Sequence, residues 1–160
     1  MARRTLSIMV TLVLAMALAA PAAAGGQRPL HGQFTAQAGP ASPRCGDDLT
    51  LGFEIEGVAS HLGALTGSGS NCTEWSLSTS AVAIWDGVVA FTAADGSTLS
   101  TVSEGTQDAP VSGVAAFLVT HVITGGTGRF DGASGVWIVS GQIDFTTGTI
   151  TGQANGWLSY

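Results

Sequence analysis

Leu49 to Glu56 alternates strictly. Leu49, Leu51, Phe53 and Ile55 fall on one side, Thr50, Gly52, Glu54 and Glu56 on the other. A period of two belongs to an extended strand with one face in a core and the other in water; a helix cannot present it. Similar runs recur along the chain: Gly32 to Gln37, Leu62 to Ser68, Thr73 to Thr79, Ala81 to Thr92, Ser97 to Glu104, Val114 to Ile123, Gly135 to Phe145 and Thr149 to Tyr160. Turn-forming residues stand between them, among them Gly67-Ser68-Gly69-Ser70-Asn71, Ala94-Asp95-Gly96, Gly125-Gly126-Thr127-Gly128 and Thr147-Gly148. Asp86-Gly87 interrupts its run as a turn or bulge. Glycine fills 23 of 160 positions. That is about twice the usual share, and inside strands it marks bulges, corners and close backbone packing. About eight short strands joined by hairpins predict an all-β fold, a small closed antiparallel barrel, with a β-sandwich as the alternative. Closure removes open edges, which suits a chain that has no lysine to guard one. Most of these runs fall short of the 9–11 residues of a membrane-spanning strand, and no aromatic girdle is visible.

The N-terminus points to export. Arg3-Arg4 precedes an apolar stretch from Leu6 to Ala20, and Ala22-Ala23-Ala24 follows as a small-x-small cleavage site. That order reads as a secretory signal peptide over residues 1–24, and the product is expected outside the cell or in a periplasm. Residues 25–44, rich in Gly, Pro, Ala and Ser at their two ends, are expected to form a flexible segment ahead of a barrel domain over 45–160. Beyond the leader the chain carries Arg28, Arg44 and Arg129 against eleven acidic residues, a net charge of −8. Three scattered arginines cannot neutralise a phosphate backbone, so no nucleic-acid partner is expected. The same deficit argues against anionic lipid, and no membrane contact is expected after cleavage. Cys45 and Cys72 are the only cysteines. In an oxidising compartment such a pair forms one disulfide, worth roughly 3–4 kcal/mol for a loop of this length.

No motif commits the chain to a reaction. Gly125 to Gly128 lacks the Lys-Ser or Lys-Thr and the following helix that phosphate binding needs. No serine sits in a nucleophile elbow, and no His, Cys or carboxylate set has ligand spacing, so neither metal nor cofactor is expected. Asn71-Cys72-Thr73 is formally a glycosylation sequon. Arg129 is expected to pair with a carboxylate, and His121, inside an uncharged run, to face the barrel with a hydrogen-bond partner. Glu54 and Glu56 share a face that water suits better than a core. Glu54, His61, Trp85, His121 and Arg129 are the candidates for lining an interior pocket.

The segment Ile123-Thr124-Gly125-Gly126-Thr127-Gly128-Arg129-Phe130-Asp131-Gly132-Ala133-Ser134-Gly135 resembles the Gly-Gly-Thr-Gly-basic-Phe segment of dirigent proteins and the matching segment of allene oxide cyclases. Both belong to a superfamily of eight-stranded, calycin-like barrels. With Ser60-His61-Leu62-Gly63, Phe91 to Gly96, Thr147 to Gly152 and the closing Ser159-Tyr160, the wider pattern is similar to small secreted bacterial proteins of that barrel type. The resemblance implies the fold. Dirigent proteins and the cyclases steer reactive intermediates inside the barrel, but outside the turn no residue of this chain can be matched to theirs. Three functions stay open: a non-catalytic barrel binding a small apolar or aromatic ligand, a structural or surface-associated protein without a pocket, and a cyclase- or dirigent-like enzyme. A cavity of at least about 300 Å³ would favour an interior site.

Overall fold

A computed structural model describes residues 26–76 and 81–160. The expected leader and the end of the Thr73–Thr79 strand lie outside them. Eight strands follow one another around a closed antiparallel barrel: β1 (Arg28–Gly39), β2 (Leu49–Ala59), β3 (Gly63–Ser76), β4 (Ala81–Ala93), β5 (Thr98–Asp108), β6 (Val114–Gly126), β7 (Ser134–Asp144) and β8 (Thr149–Ser159). Each pairs with its sequence neighbours, and β1 closes the wall on β8 from Arg28↔Leu158 to Gln37↔Thr149. A turn of 3₁₀ helix, Gly128–Phe130, sits between β6 and β7.

Two sequence expectations need correction. The barrel begins inside the segment expected to be flexible, because β1 supplies the pairing edges for both β2 and β8. The strands run to 11–14 residues, not the short lengths anticipated. Glycines that read as punctuation lie within them: Gly67 and Gly69 in β3, Gly105 in β5, Gly125 and Gly126 in β6. The cause is close approach of neighbouring strands. A Cβ on Gly105 would strike the Leu118 carbonyl, and one on Gly141 the Thr151 carbonyl. Glycine here lets the wall coil without ending the strand. The strands are thus as long as membrane-spanning ones; an apolar core fills the inside, while Val88, Val102, Leu118, Val122 and Ile138 stand exposed on the outer wall.

The inward set forms one core. Leu99, Phe130 and Leu158 are fully buried at one end. Phe130 is dropped there by the Gly125–Gly128 turn, which is tied down by the Arg129 N–H donating to Ser97 Oγ and by a 2.7 Å bond between Thr98 and Thr127 hydroxyls. Its ring meets Tyr160 edge-on at 4.9 Å between centroids. The motif that could be mistaken for a phosphate loop is therefore a plug. Near the opposite end Cys45 and Cys72 form the disulfide, tying the β1–β2 connection to β3. Leu49, expected on the core face, is 66% exposed, since β2 begins at the rim.

Replacing both cysteines by alanine should cost about 3 kcal/mol, read as a lower denaturant midpoint, and alkylation of the native protein without reductant should label neither thiol. Gly141→Ala should cost roughly 1–3 kcal/mol by driving a methyl group into the β8 backbone, measured by the same denaturation.

Candidate functional site

Between the Phe130 plug and the opposite end the barrel holds a partly open cavity of about 120 Å³, whose lining includes the exposed Gln33 and Val58. Its wall is mostly apolar, with Phe34, Phe53, Phe91, Phe117 and Trp137 its largest members. Apart from Gln33 on β1, its polar side chains come from β3, β5 and β6, and strand register explains the grouping. Asn71 sits in β3 between the Ser70–Val88 and Cys72–Trp85 pairs, where the register slips. Across the β4 bulge, Gly87 pairs with Ser103, Ser103 with His121, and His121 with Trp137. Asn71, Ser103 and His121 thus form one strip across the inner wall, and all three line the cavity.

His121 is 8% exposed. A 3.1 Å hydrogen bond joins its Nδ1 to Thr101 Oγ1, while its ring stacks on Trp137 at 5.7 Å and meets Phe91 edge-on. Burial pushes its pKa down to about 4, so the imidazole is neutral at physiological pH. A neutral imidazole can donate or accept a hydrogen bond, but with so low a pKa it is a weak general base. No carboxylate is among the residues lining the cavity; the imidazole is oriented by Thr101 and by stacking on Trp137. Asn71 Oδ1 is buried with no hydrogen-bond partner.

The other sequence candidates lie elsewhere. Glu54 projects from the outer wall between inward-facing Phe53 and Ile55. Trp85 is 37% exposed, on the outer face by alternation from the inward Val82 and Ile84. His61 occupies the β2–β3 turn at φ 70°, with Nε2 3.1 Å from the Pro29 carbonyl. Arg129 is a surface residue that pairs with Asp95 at 3.3 Å and lies over the Phe130 ring. The Ser97 backbone N–H holds the Asp95 carboxyl below its usual pKa. Of the five candidates, only His121 lines the cavity, so they do not converge in one place. Asn71, Ser103 and Gln107 were missed. In β5 the valine Val102 is exposed while Thr101 and Ser103 face inward, so no apolar alternation marks those polar positions as interior. Among the described residues no group of His, Cys, Asp and Glu is placed to hold a metal ion.

No protein-family model matches the chain, and no curated protein does. Two solved structures of pterocarpan synthase dirigent proteins are similar to it. One is 18% identical with a TM-score of 0.48, covering 85% of this chain and 89% of that one. The other is 17% identical with a TM-score of 0.48, covering 84% and 96%. Likeness at that level transfers no residue role, and the barrel rests on its own strand pairing.

The His121 shift has a stability consequence. Between its ordinary value of 6.5 and its folded value of about 4, the unfolded chain takes up a proton that the folded barrel refuses. Stability therefore falls as pH drops through that window, by about 3 kcal/mol in all, and the loss stops below it. Urea denaturation between pH 7 and pH 4 should show that slope for the parent and a flatter one for His121→Leu.

Proposed function

We propose that the protein is an exported, non-catalytic barrel that holds a small, neutral, largely apolar ligand of about single-ring size inside its wall. The largely apolar interior cavity carries this reading. An engineered apolar cavity of about 150 Å³ binds benzene or xenon, so a volume of about 120 Å³ suits a ligand of that order. It falls below the 300 Å³ at which drug-sized pockets begin, so larger molecules require the wall to widen. Export is supported by the leader-like N-terminus and by a disulfide, which persists in oxidising compartments such as the extracellular space or a periplasm.

A structural or surface-associated role is the second reading. It is favoured by the same small volume and by the solid packing of Leu99, Phe130 and Leu158 at the plugged end. Catalysis inside the barrel has less support, because no carboxylate or arginine lines the cavity.

Titration with benzene, followed by NMR of the indole N–H of Trp137, separates the two readings. Saturable binding is expected, and it should vanish in Ala154→Leu, which fills part of the cavity. Absence of saturation up to the solubility of benzene would leave the structural role. Native mass spectrometry of protein from its own host should also show a bound small molecule.

A further inference from the structure

We infer that the ligand this cavity suits is a neutral alcohol, its hydroxyl donating to Asn71 and its hydrocarbon body lying against the aromatic wall. This deepens the interior-binding role and depends on it. The starting observation is an orphan: Asn71 Oδ1 is buried and unpartnered in a barrel whose other buried side-chain polar atoms, among the described residues, escape that condition. Such an atom carries a desolvation cost that a ligand's donor can remove.

Around it the site is a strip. Ser103 and His121 follow Asn71 along the same register row, and the described residues give the His121 ring a single hydrogen bond, to Thr101. Gly87, between Asn71 and Ser103, keeps the strip open; a Cβ there would run into Ser103 Oγ. The bulge that sets Gly87 in place is clamped from outside. The Arg44 guanidinium donates to the Asp86 carboxylate and carbonyl, and to Ser70 Oγ and the Ser70 carbonyl at 3.0 Å each.

The remaining chemistry narrows the class. No arginine lines the cavity, so an acid would enter without a counter-charge, and no carboxylate lines it, so an amine would too. The orphan atom is an acceptor, so a ketone or ether cannot satisfy it, whereas a hydroxyl can. Its own oxygen can then accept from Ser103 or from the imidazole.

Three six-membered rings test this on the intact mature protein by calorimetry: cyclohexanol, cyclohexanone and methylcyclohexane. Cyclohexanol should bind at least about tenfold more tightly than either of the others, the factor expected when a ligand satisfies a buried acceptor. If cyclohexanone or methylcyclohexane binds as well as the alcohol, the hydroxyl assignment fails while interior binding stands. If none of the three binds, both fail. In Asn71→Leu the alcohol's advantage should shrink below about threefold while methylcyclohexane keeps its affinity. The ligand-free Tm should rise, since an unsatisfied polar atom has been replaced by an apolar one. A lowered Tm with the alcohol preference intact would make Asn71 a residue of the fold only and overturn the proposal. Asn71→Ala, read by the same preference, serves if the leucine variant does not fold.

Discussion

The pairing of β1 with β8 is the contact on which the rest depends. It joins the first and last strands over ten residue pairs, from Arg28↔Leu158 to Gln37↔Thr149. Without it the wall would be an eight-stranded open sheet with two bare edges and no lysine to blunt them. The cavity also depends on it, because Phe34 and Ala36 from β1 and Ile150 and Ala154 from β8 line the interior together. The closure is reinforced at one end, where the Arg28 guanidinium bonds the Tyr160 hydroxyl at 2.9 Å and lies 4.4 Å from the ring centroid. Most contacts in such a barrel are hairpin-local; this one spans the chain, so it carries the largest loop-closure cost and seals the fold only once the other strands are in place.

The second constraint is the irregularity in β3 and β4. Alternation running on from the inward Val82 and Ile84 would put Trp85 outside and Asp86 inside. The slip between Ile84 and Gly87 instead leaves Asp86 outside beside Trp85 and brings Gly87 to the interior. Asp86 adopts φ 46°, a conformation that L residues other than asparagine and aspartate seldom accept, and the Arg44 clamp holds it. The disulfide fastens Cys45, next to Arg44, onto Cys72, next to Asn71. Clamp, bulge and disulfide therefore act on one place, and that place holds the orphan acceptor of the cavity.

How much of this the sequence shows follows from where its simple rules hold. Period-two alternation reads correctly in β2 from Leu51 to Ile55 and in β7 from Val139 to Ile143, because there the inward residues are apolar and the outward ones polar. The barrel is legible on that basis, and the disulfide from two lone cysteines behind an export-type N-terminus. In β5 the rule inverts: Thr101, Ser103 and Gln107 face in while Val102 is 45% exposed. Hydroxyl and amide side chains on the inner face are what give the cavity its polar strip, so the strand least legible in sequence is the one that builds the site. Asn71 carried only the appearance of a sequon, since a one-residue register slip decides where its amide ends up. Glu54 and Arg129 attracted notice as charges, yet a charge is the side chain least able to enter an apolar interior unpaired.

That last point extends to the whole electrostatic plan. Each of the three arginines beyond the leader has a structural partner on the surface: Arg28 at Tyr160, Arg44 at Asp86, Arg129 at Asp95. None faces the cavity. The one titratable group that does, His121, is kept neutral by burial and by aromatic neighbours that offer no counter-charge. Under the proposed interior binding, such a wall would discriminate by shape and by hydrogen bonding alone. A neutral guest meets no penalty there that its own hydrocarbon surface does not repay, whereas an ion would leave water for a wall with nothing of opposite sign. On that reading, selectivity against charge would come from the wall itself.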